Sequence, residues 1–385
     1  MTVPVNDYTD FAHTGPGTLA GRYMRMFWHP IYMARDLKPG RAVPIRIMSE
    51  DFTLYRGEGG KPHLVDFRCA HRGTQLSTGW VEGDCIRCFY HGWKYDETGQ
   101  CVEQPAEDEA FARKVRINSY PVQEYLGLIF AYLGEGLPPE LPHYPDFEDE
   151  GVLTPSTYVR DCNWFQNLEN VVDEVHVAFT HRVSEFGNHG LYVVPEVSAE
   201  ASEWGVTMYA KRPGESCADG EQVRVTQLGM PNIANVAGSP NTDEGGWEDF
   251  IAWRVPIDDT VHRSFNVHMA HVKGEAAERY KEEAAKRRAS RPKDSYIPLA
   301  QQVMRGELAW PDVEHRPDIV GIQDYVSQVG QGVFADRENE HLGKSDVGII
   351  ILRRLWTREL RALAESQPLT QWTRPKHLTP APGAV

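Results

Sequence analysis

Cys69-Ala70-His71-Arg72-Gly73 and Cys88-Phe89-Tyr90-His91-Gly92-Trp93 are two short stretches that decide how this chain is read. Each offers one thiolate and one imidazole, and residues 72–87 separate the two pairs. A loop carrying one Cys and one His can reach two different metal atoms. A pair of such loops can therefore grip a two-iron, two-sulfide cluster, with thiolates on one iron and imidazoles on the other. Neutral imidazoles in place of two thiolates make the cluster less negative, which raises its potential and suits it to pass electrons onward. The competing reading is a Cys2His2 zinc site, prompted by Cys85-Ile86-Arg87-Cys88. That reading leaves one Cys or His spare. It also does not account for Gly73 and Gly92, which suit tight loops that bring backbone amides near sulfide. Cys85, Cys101, Cys162 and Cys217 read as buried small hydrophobes.

Around these loops, residues 21–135 break into short β-like runs, such as 42–48, 52–55 and 64–67, punctuated by Gly and Pro. Residues 120–133 read as one more strand or hairpin of the same antiparallel unit. The Pro-rich, acidic stretch that follows has no hydrophobic period and reads as a linker. From Asn163 the pattern turns helical, with Leu168, Val171, Val172, Val175 and Phe179 at helix-face spacing, which predicts one buried face. Strand-like runs at 206–210, 223–228, 250–255 and 264–272 predict a second, larger sheet. Residues 274–291 are dense in Glu, Lys, Arg and Ala without an apolar stripe, as in a solvated helix or loop. Residues 318–334 and 346–363 have the length and spacing of two further helices.

The chain has 385 residues, with 40 Lys plus Arg against 55 Asp plus Glu, a formal charge of -15 that disfavours nucleic acid and anionic lipid as partners. The apolar runs at 125–133 and 347–352 fall short of the roughly 18 residues a membrane span needs. Residues 1–15 lack both a basic start and an apolar stretch, so they do not read as a signal peptide, and a cytoplasmic location is expected.

Taken together, the two Cys/His loops resemble the Rieske domain of ring-hydroxylating, non-haem iron oxygenases. The resemblance extends over nearly the whole chain, and it is to the large (alpha) subunit of the phthalate dioxygenase and aromatic O-demethylase branch. Respiratory Rieske proteins usually carry an extra Cys in each loop, whereas here Thr74 follows Gly73. The resemblance implies an α+β chain: an all-β Rieske [2Fe-2S] domain joined to an α+β catalytic domain whose antiparallel sheet is flanked by helices in a helix-grip-like manner. The corresponding division is an N-terminal segment 1–20, a Rieske domain 21–136, a linker 137–160 and a catalytic domain 161–385.

Asn163-Trp164 and Glu169-Asn170-Val171-Val172-Asp173-Glu174-Val175-His176, with His181 beyond, are similar to the catalytic-iron motif of that family. This implies a mononuclear Fe(II) held by His176, His181 and one distant carboxylate. Two imidazoles and a carboxylate on one face leave positions open for dioxygen. His181 lies five residues past His176, roughly 140° around a regular helix, which predicts a break near residues 179–181. Asp324, in Ile322-Gln323-Asp324-Tyr325, best matches the place of the third ligand; Asp318 and Asp336 compete. His268 and His271 fall on opposite faces of a predicted strand and read as decoys.

By the same resemblance, Cys69, His71, Cys88 and His91 hold the cluster, and Asp173 bridges His176 to His91 of a neighbouring subunit. Asn170 either orients that bridge or the iron, or caps backbone. The implied activity is that of a terminal oxygenase component, which uses dioxygen and external electrons to hydroxylate or oxidatively demethylate an aromatic compound. A separate NAD(P)H-dependent reductase, with or without a ferredoxin, is implied because no dinucleotide fingerprint or plant-type ferredoxin cluster is found. The assembly implied is a homotrimer or a multiple of trimers. An electron carrier without oxygenase activity and a zinc-stabilised binding protein are the alternatives.

Overall fold

The computed structural model describes residues 8–184, 193–213, 221–241, 246–290, 292 and 294–377; Cys217 lies outside them. The amino-terminal half is built from three small antiparallel sheets. One pairs Ala42–Ile47, Glu50–Arg56, Pro62–Asp66 and Ser119–Tyr120 in that order. A second orders Trp28–Met33, Leu128–Tyr132 and Val122–Tyr125, the last two forming the hairpin expected from the sequence. The third, a four-stranded ribbon of Trp80–Glu82, Cys85–Arg87, Lys94–Tyr95 and Cys101–Glu103, carries the second Cys/His loop at a hairpin end.

The carboxyl-terminal half is organised on a seven-stranded antiparallel sheet. Its order is Val152–Arg160, His262–Ala270, Gly246–Pro256, Ile233–Asn241, Glu221–Gly229, Gly205–Pro213 and Glu196–Ala201. The edge strand Val152–Arg160 falls within the stretch read as a linker. Its register is continuous with His262–Ala270 over nine residues, and that partner strand, distant in sequence, is what makes it a strand. Val206, Met208 and Ala210 alternate inward beneath the helix Val347–Ala364.

Both halves share one core. Trp253 of the large sheet meets Phe130 of the hairpin edge-on at 5.3 Å, and Tyr144 at 5.7 Å. Residues 8–20, within the N-terminal segment, join the same core: Phe11 stacks on Phe165 at 4.7 Å, and Asn163 Nδ2 donates to Ala12 O at 2.9 Å. A second, smaller core that includes Tyr55, Leu76, Ile86, Trp93 and Tyr95 encloses Cys69 and Cys88.

The predicted single helix after Asn163 is two helices, Trp164–Val171 and Val175–Thr180. Asn163 caps the first by accepting from Phe165 N at 3.1 Å. The break follows from what the next residues do. Asp173 Oδ1 accepts from His176 N at 3.3 Å, and the Glu174 side chain turns into the interior, so neither carboxylate is left for a solvent-facing helical turn. Gly348 is required here, because a Cβ on it would lie 2.7 Å from Val172 O. Past the break the helical face rotates, and Phe179, expected in the core, is 61% exposed. Residues 274–290 do form a helix, with only Tyr280 buried. No helix among the described residues is long and apolar enough to cross a membrane.

Candidate metal centres

The two Cys/His loops have the same backbone design. Cys69 N donates to Thr74 O at 2.8 Å and Gly73 N to Cys69 O at 2.9 Å; Cys88 N donates to Trp93 O at 2.8 Å and Gly92 N to Cys88 O at 3.1 Å. Each glycine has a positive φ, 77° at Gly73 and 75° at Gly92, which a side chain would oppose. These repeated closures bring the two cysteines together in the interior, while both imidazoles are exposed. The His71 and His91 rings are 4.5 Å apart, and His71 stacks on Trp93 at 4.5 Å with an interplanar angle of 8°.

The donors thus form one thiol pair and one imidazole pair, the division needed by a two-iron cluster with thiolates on one iron and imidazoles on the other. Cys85 is half-buried on its strand, opposite Glu82, and Cys101 and Cys162 are buried. Tyr95 Oη lies 3.2 Å from Cys69 Sγ and accepts from Ala70 N at 3.1 Å. Burial, with the adjoining Cys69, holds the Tyr95 phenol far above its ordinary range, so its proton stays available to a thiolate. His91 is held below its ordinary value by desolvation and by His71 and Arg72, which favours the neutral, metal-binding ring.

His176, His181 and Asp324 come together in the other half. Their ligand atoms lie within 4.8 Å of one another, the one such grouping of three or more among the described residues. His176 stands in the first turn of Val175–Thr180, and His181 is the residue at which that helix ends, as the 140° offset predicts. Asp324 comes from the helix Ile319–Val329. Asp318 is instead bound to Arg316 at 2.8 Å, and Asp336 accepts from Asn339 at 2.8 Å. His268 pairs with Glu248 and His271 with Asp249, away from this group.

Each ring is oriented by a partner behind it. His181 Nδ1 donates to the buried Gln323 Oε1 at 3.0 Å, which turns Nε2 toward Asp324 Oδ1 at 3.2 Å. His176 Nδ1 donates to the main-chain oxygen of Asp173, while the Asp173 carboxylate is 3.7 Å from that nitrogen. Burial favours the neutral Asp324 acid, but the His181 hydrogen bond and the Arg160 guanidinium outweigh it and hold the carboxyl below its ordinary value. Burial likewise pushes His181 down, and Asp324 overrides it upward. Two imidazoles with fixed tautomers and one ionised carboxylate are the donor set of a mononuclear non-haem iron site.

A cavity of about 160 Å³ opens beside this group, walled by Val171, Val177, Ala234, Val236, Phe250 and Val320, with Asn170, Arg224 and Arg254 among its polar residues. An apolar space of about 150 Å³ accepts one benzene ring. Asn170 does not cap backbone with its side chain; its Oδ1 accepts from Gln328 Nε2 at 3.2 Å. The buried Glu174 accepts from Thr226 Oγ1 at 2.7 Å and faces Arg224 at 3.3 Å and Arg212 at 3.7 Å. Gln323, Glu174 and Arg254 escaped the sequence reading. The signal for Gln323 was an amide on the apolar face of a helix; for Arg254, it was a cation between Trp253 and Val255 in a strand.

Residues 27–124 match the Rieske [2Fe-2S] domain family. The chain is 32% identical over 367 residues to the oxygenase subunit of 5,5'-dehydrodivanillate O-demethylase from Sphingobium sp. (strain NBRC 103272 / SYK-6), covering 92% of this chain and 80% of that one. It is 33% identical over 390 residues to phenoxybenzoate dioxygenase subunit alpha from Ectopseudomonas oleovorans, covering 93% and 86% respectively. Among solved structures, the terminal oxygenase of carbazole 1,9a-dioxygenase from Novosphingobium sp. KA1 superimposes with a TM-score of 0.63 at 20% identity, over 91% of this chain and 95% of that one. At that identity the match speaks for the fold.

Proposed function

The chain belongs to the oxygenase subunits of the Rieske non-haem iron family, and on that premise we propose that it hydroxylates or oxidatively demethylates an aromatic compound at the His176, His181 and Asp324 site. The observation that carries this reading is the convergence of those three side chains on the wall of a mainly apolar cavity sized for one aromatic ring. When bound, the cluster supplies single electrons and the mononuclear iron activates dioxygen.

The protein's own contribution is placement and polarity. Cys69 and Cys88 would hold one iron of the cluster from the interior, and His71 and His91 the other from the surface. Gln323 and the Asp173 carbonyl fix which ring nitrogen of His181 and His176 faces the metal. The aliphatic wall of Val171, Val177, Val236 and Val320 excludes water and holds a ring beside the site.

Electron delivery between subunits is part of the proposal. Trp80, Phe89 and Tyr90 are exposed about the cluster loops, and Phe179 and Val183 are exposed about the iron ligands. Two apolar surfaces of this kind, one at each metal centre, suit a head-to-tail ring such as a homotrimer, which leaves none of them bare. In that ring Asp173 accepts from His91 of the next subunit. Its carboxylate is part-exposed, and among the described residues it accepts a hydrogen bond from the backbone nitrogen of His176, with His176 Nδ1 3.7 Å away, which leaves acceptor capacity for a further donor. Electrons come from a separate NAD(P)H-dependent reductase or its ferredoxin; solved structures of carbazole 1,9a-dioxygenase include oxygenase and ferredoxin together.

The test is metal and sulfide analysis of anaerobically purified protein, then oxygen uptake with a generic reductase and a panel of aromatic acids, ethers and amines. Iron in excess of labile sulfide, with uptake that depends on an aromatic compound, is expected. Zinc without sulfide would overturn the reading.

A further inference from the structure

The two oxygens of Asp324 face different partners: Oδ1 lies 3.2 Å from His181 Nε2, and Oδ2 lies 3.9 Å from Arg160 Nη2. Arg160 ends the edge strand Val152–Arg160 and is only 1% exposed. Its position is fixed from several sides. Nη1 donates to Gly321 O at 3.3 Å, on the helix that carries Asp324. The guanidinium carbon lies 4.8 Å from the centre of the Tyr158 ring and 5.8 Å from that of Tyr325. Tyr325 is itself tied down, donating to Asp161 Oδ2 at 2.7 Å and accepting from Gln301 Nε2 at 3.2 Å. Among the described residues, Asp324 is the one carboxylate in ion-pair range of Arg160, and Arg160 Nε is buried with no hydrogen-bond partner. A positive charge is therefore held beside the ligand carboxylate and is only partly neutralised. It does not serve the cavity directly, since Arg160 is not among the lining residues. Buried ion pairs contribute little net stability, so the fold alone gives no reason for a cation at this place.

We propose that Arg160 is a positioning residue that biases the mononuclear iron toward the ferrous state. A fixed positive charge beside a metal repels the ferric ion, with its extra unit of charge, more than the ferrous ion, and buried surroundings strengthen that repulsion. The ion pair also draws carboxylate charge toward Oδ2, which weakens the one anionic donor of the set. Both effects act in the same direction. The ferrous ion is the form that two imidazoles and a carboxylate present to dioxygen, so a cation that disfavours the ferric ion keeps the site ready. The inference rests on the iron site assigned to His176, His181 and Asp324, and adds to it a residue that sets the redox state of the metal.

The test is an anaerobic redox titration of the metal-loaded protein. Electron paramagnetic resonance follows the high-spin ferric signal of the mononuclear iron, with the cluster signal as internal reference. Arg160→Met removes the charge and keeps an unbranched stem. It should shift the equilibrium toward the ferric ion by about tenfold or more, which is about 59 mV for one electron. Arg160→Gln, also neutral, should shift it the same way. Arg160→Lys keeps the charge and should stay nearer the parent than either, and the cluster potential should be the same in every variant. A neutral variant with the parent's potential, a shift toward the ferrous ion, or an Arg160→Lys shift as large as that of Arg160→Met would overturn the proposal. The unliganded thermal midpoint of each variant reports folding. Should neither neutral variant fold, Arg160→Lys decides: a parent-like potential supports the proposal, and a shift of about tenfold or more overturns it. Failure of the iron assignment shows separately, as a parent protein with no mononuclear ferric signal on oxidation, or one whose signal survives Asp324→Asn.

Discussion

His181 Nε2 and Asp324 Oδ1 lie 3.2 Å apart, although one ends a helix early in the catalytic half and the other sits in a helix near the carboxyl end. The contact joins the donors of the proposed iron site. Asp324→Asn keeps the shape and removes the charge. It is expected to lose most of the mononuclear iron and nearly all turnover while the cluster and its visible spectrum persist. Iron-to-sulfide ratios before and after the substitution check this; an unchanged ratio would remove Asp324 from the ligand set.

Gln323 acts through His181. Its Oε1 accepts the Nδ1 proton at 3.0 Å, so Gln323→Leu frees the ring to rotate and leaves that proton without a buried acceptor. Loss of such a supporting partner typically weakens metal affinity or activity by about 10- to 100-fold. Iron titration of the variant should show a drop of that order, with Gln323→Glu retaining more affinity than Gln323→Leu.

Asp173→Ala should separate metal binding from coupling. The ligand atoms of His176 do not depend on the Asp173 carboxylate, because the ring is held by its main-chain oxygen. Both metals should stay in place while substrate-coupled turnover falls by two orders of magnitude or more. Loss of the acceptor for His176 N should cost about 1 kcal/mol of stability, as for other helix caps. Rapid-mix measurement of cluster oxidation gives the answer, and normal oxidation in the variant would refute a bridging role.

Two buried histidines predict a stability profile on the acid side. His262 Nδ1 donates to Cys162 O at 2.9 Å and Nε2 accepts from Asn167 Nδ2 at 2.8 Å; His29 Nε2 donates to Met24 O at 2.7 Å and Nδ1 accepts from Asn232 Nδ2 at 3.3 Å. Each ring is satisfied only when neutral. Burial, with Arg160 and Arg254 nearby, lowers His262 to about 3; burial and Arg25 lower His29 to about 4 against the raising effect of Met24 O. Both values lie below the unfolded pKa of about 6.5, so the unfolded chain binds protons that the native state refuses. Their contribution is complete above pH 6.5 and is lost as pH falls from there toward 4 and 3, on the order of 1.4 kcal/mol per unit for each ring. Urea midpoints measured from pH 8 to 4.5 should fall through this window, and His262→Gln should flatten the slope. An equal slope in the variant would exclude His262.

Much of this was legible because it is local. A Cys, a His and a Gly within five residues define a loop whose closure depends on its own backbone, and the structure shows that closure twice. The five-residue spacing of His176 and His181 likewise requires a helix to end between them, and it ends at His181. The extent of the preceding helix was misread because Val171, Val172, Val175 and Phe179 keep helical spacing across a break created by distant contacts at Glu174 and Gly348. The edge strand Val152–Arg160 was misread for the same kind of reason, since its partner is His262–Ala270.

The amino-acid order by itself determined which residues carry the metal chemistry near one another in the chain: the two thiol–imidazole loops and the histidine pair. Only the tertiary structure decided that Asp324, and not Asp318 or Asp336, completes the group, that Gln323 stands behind His181, and that Arg254 lines the cavity. Short-range spacing constrains only side chains on one loop or one helix turn. The approach of a helix from the far end of the chain to a strand in the middle depends on how the large sheet and its helices pack, which no local pattern encodes.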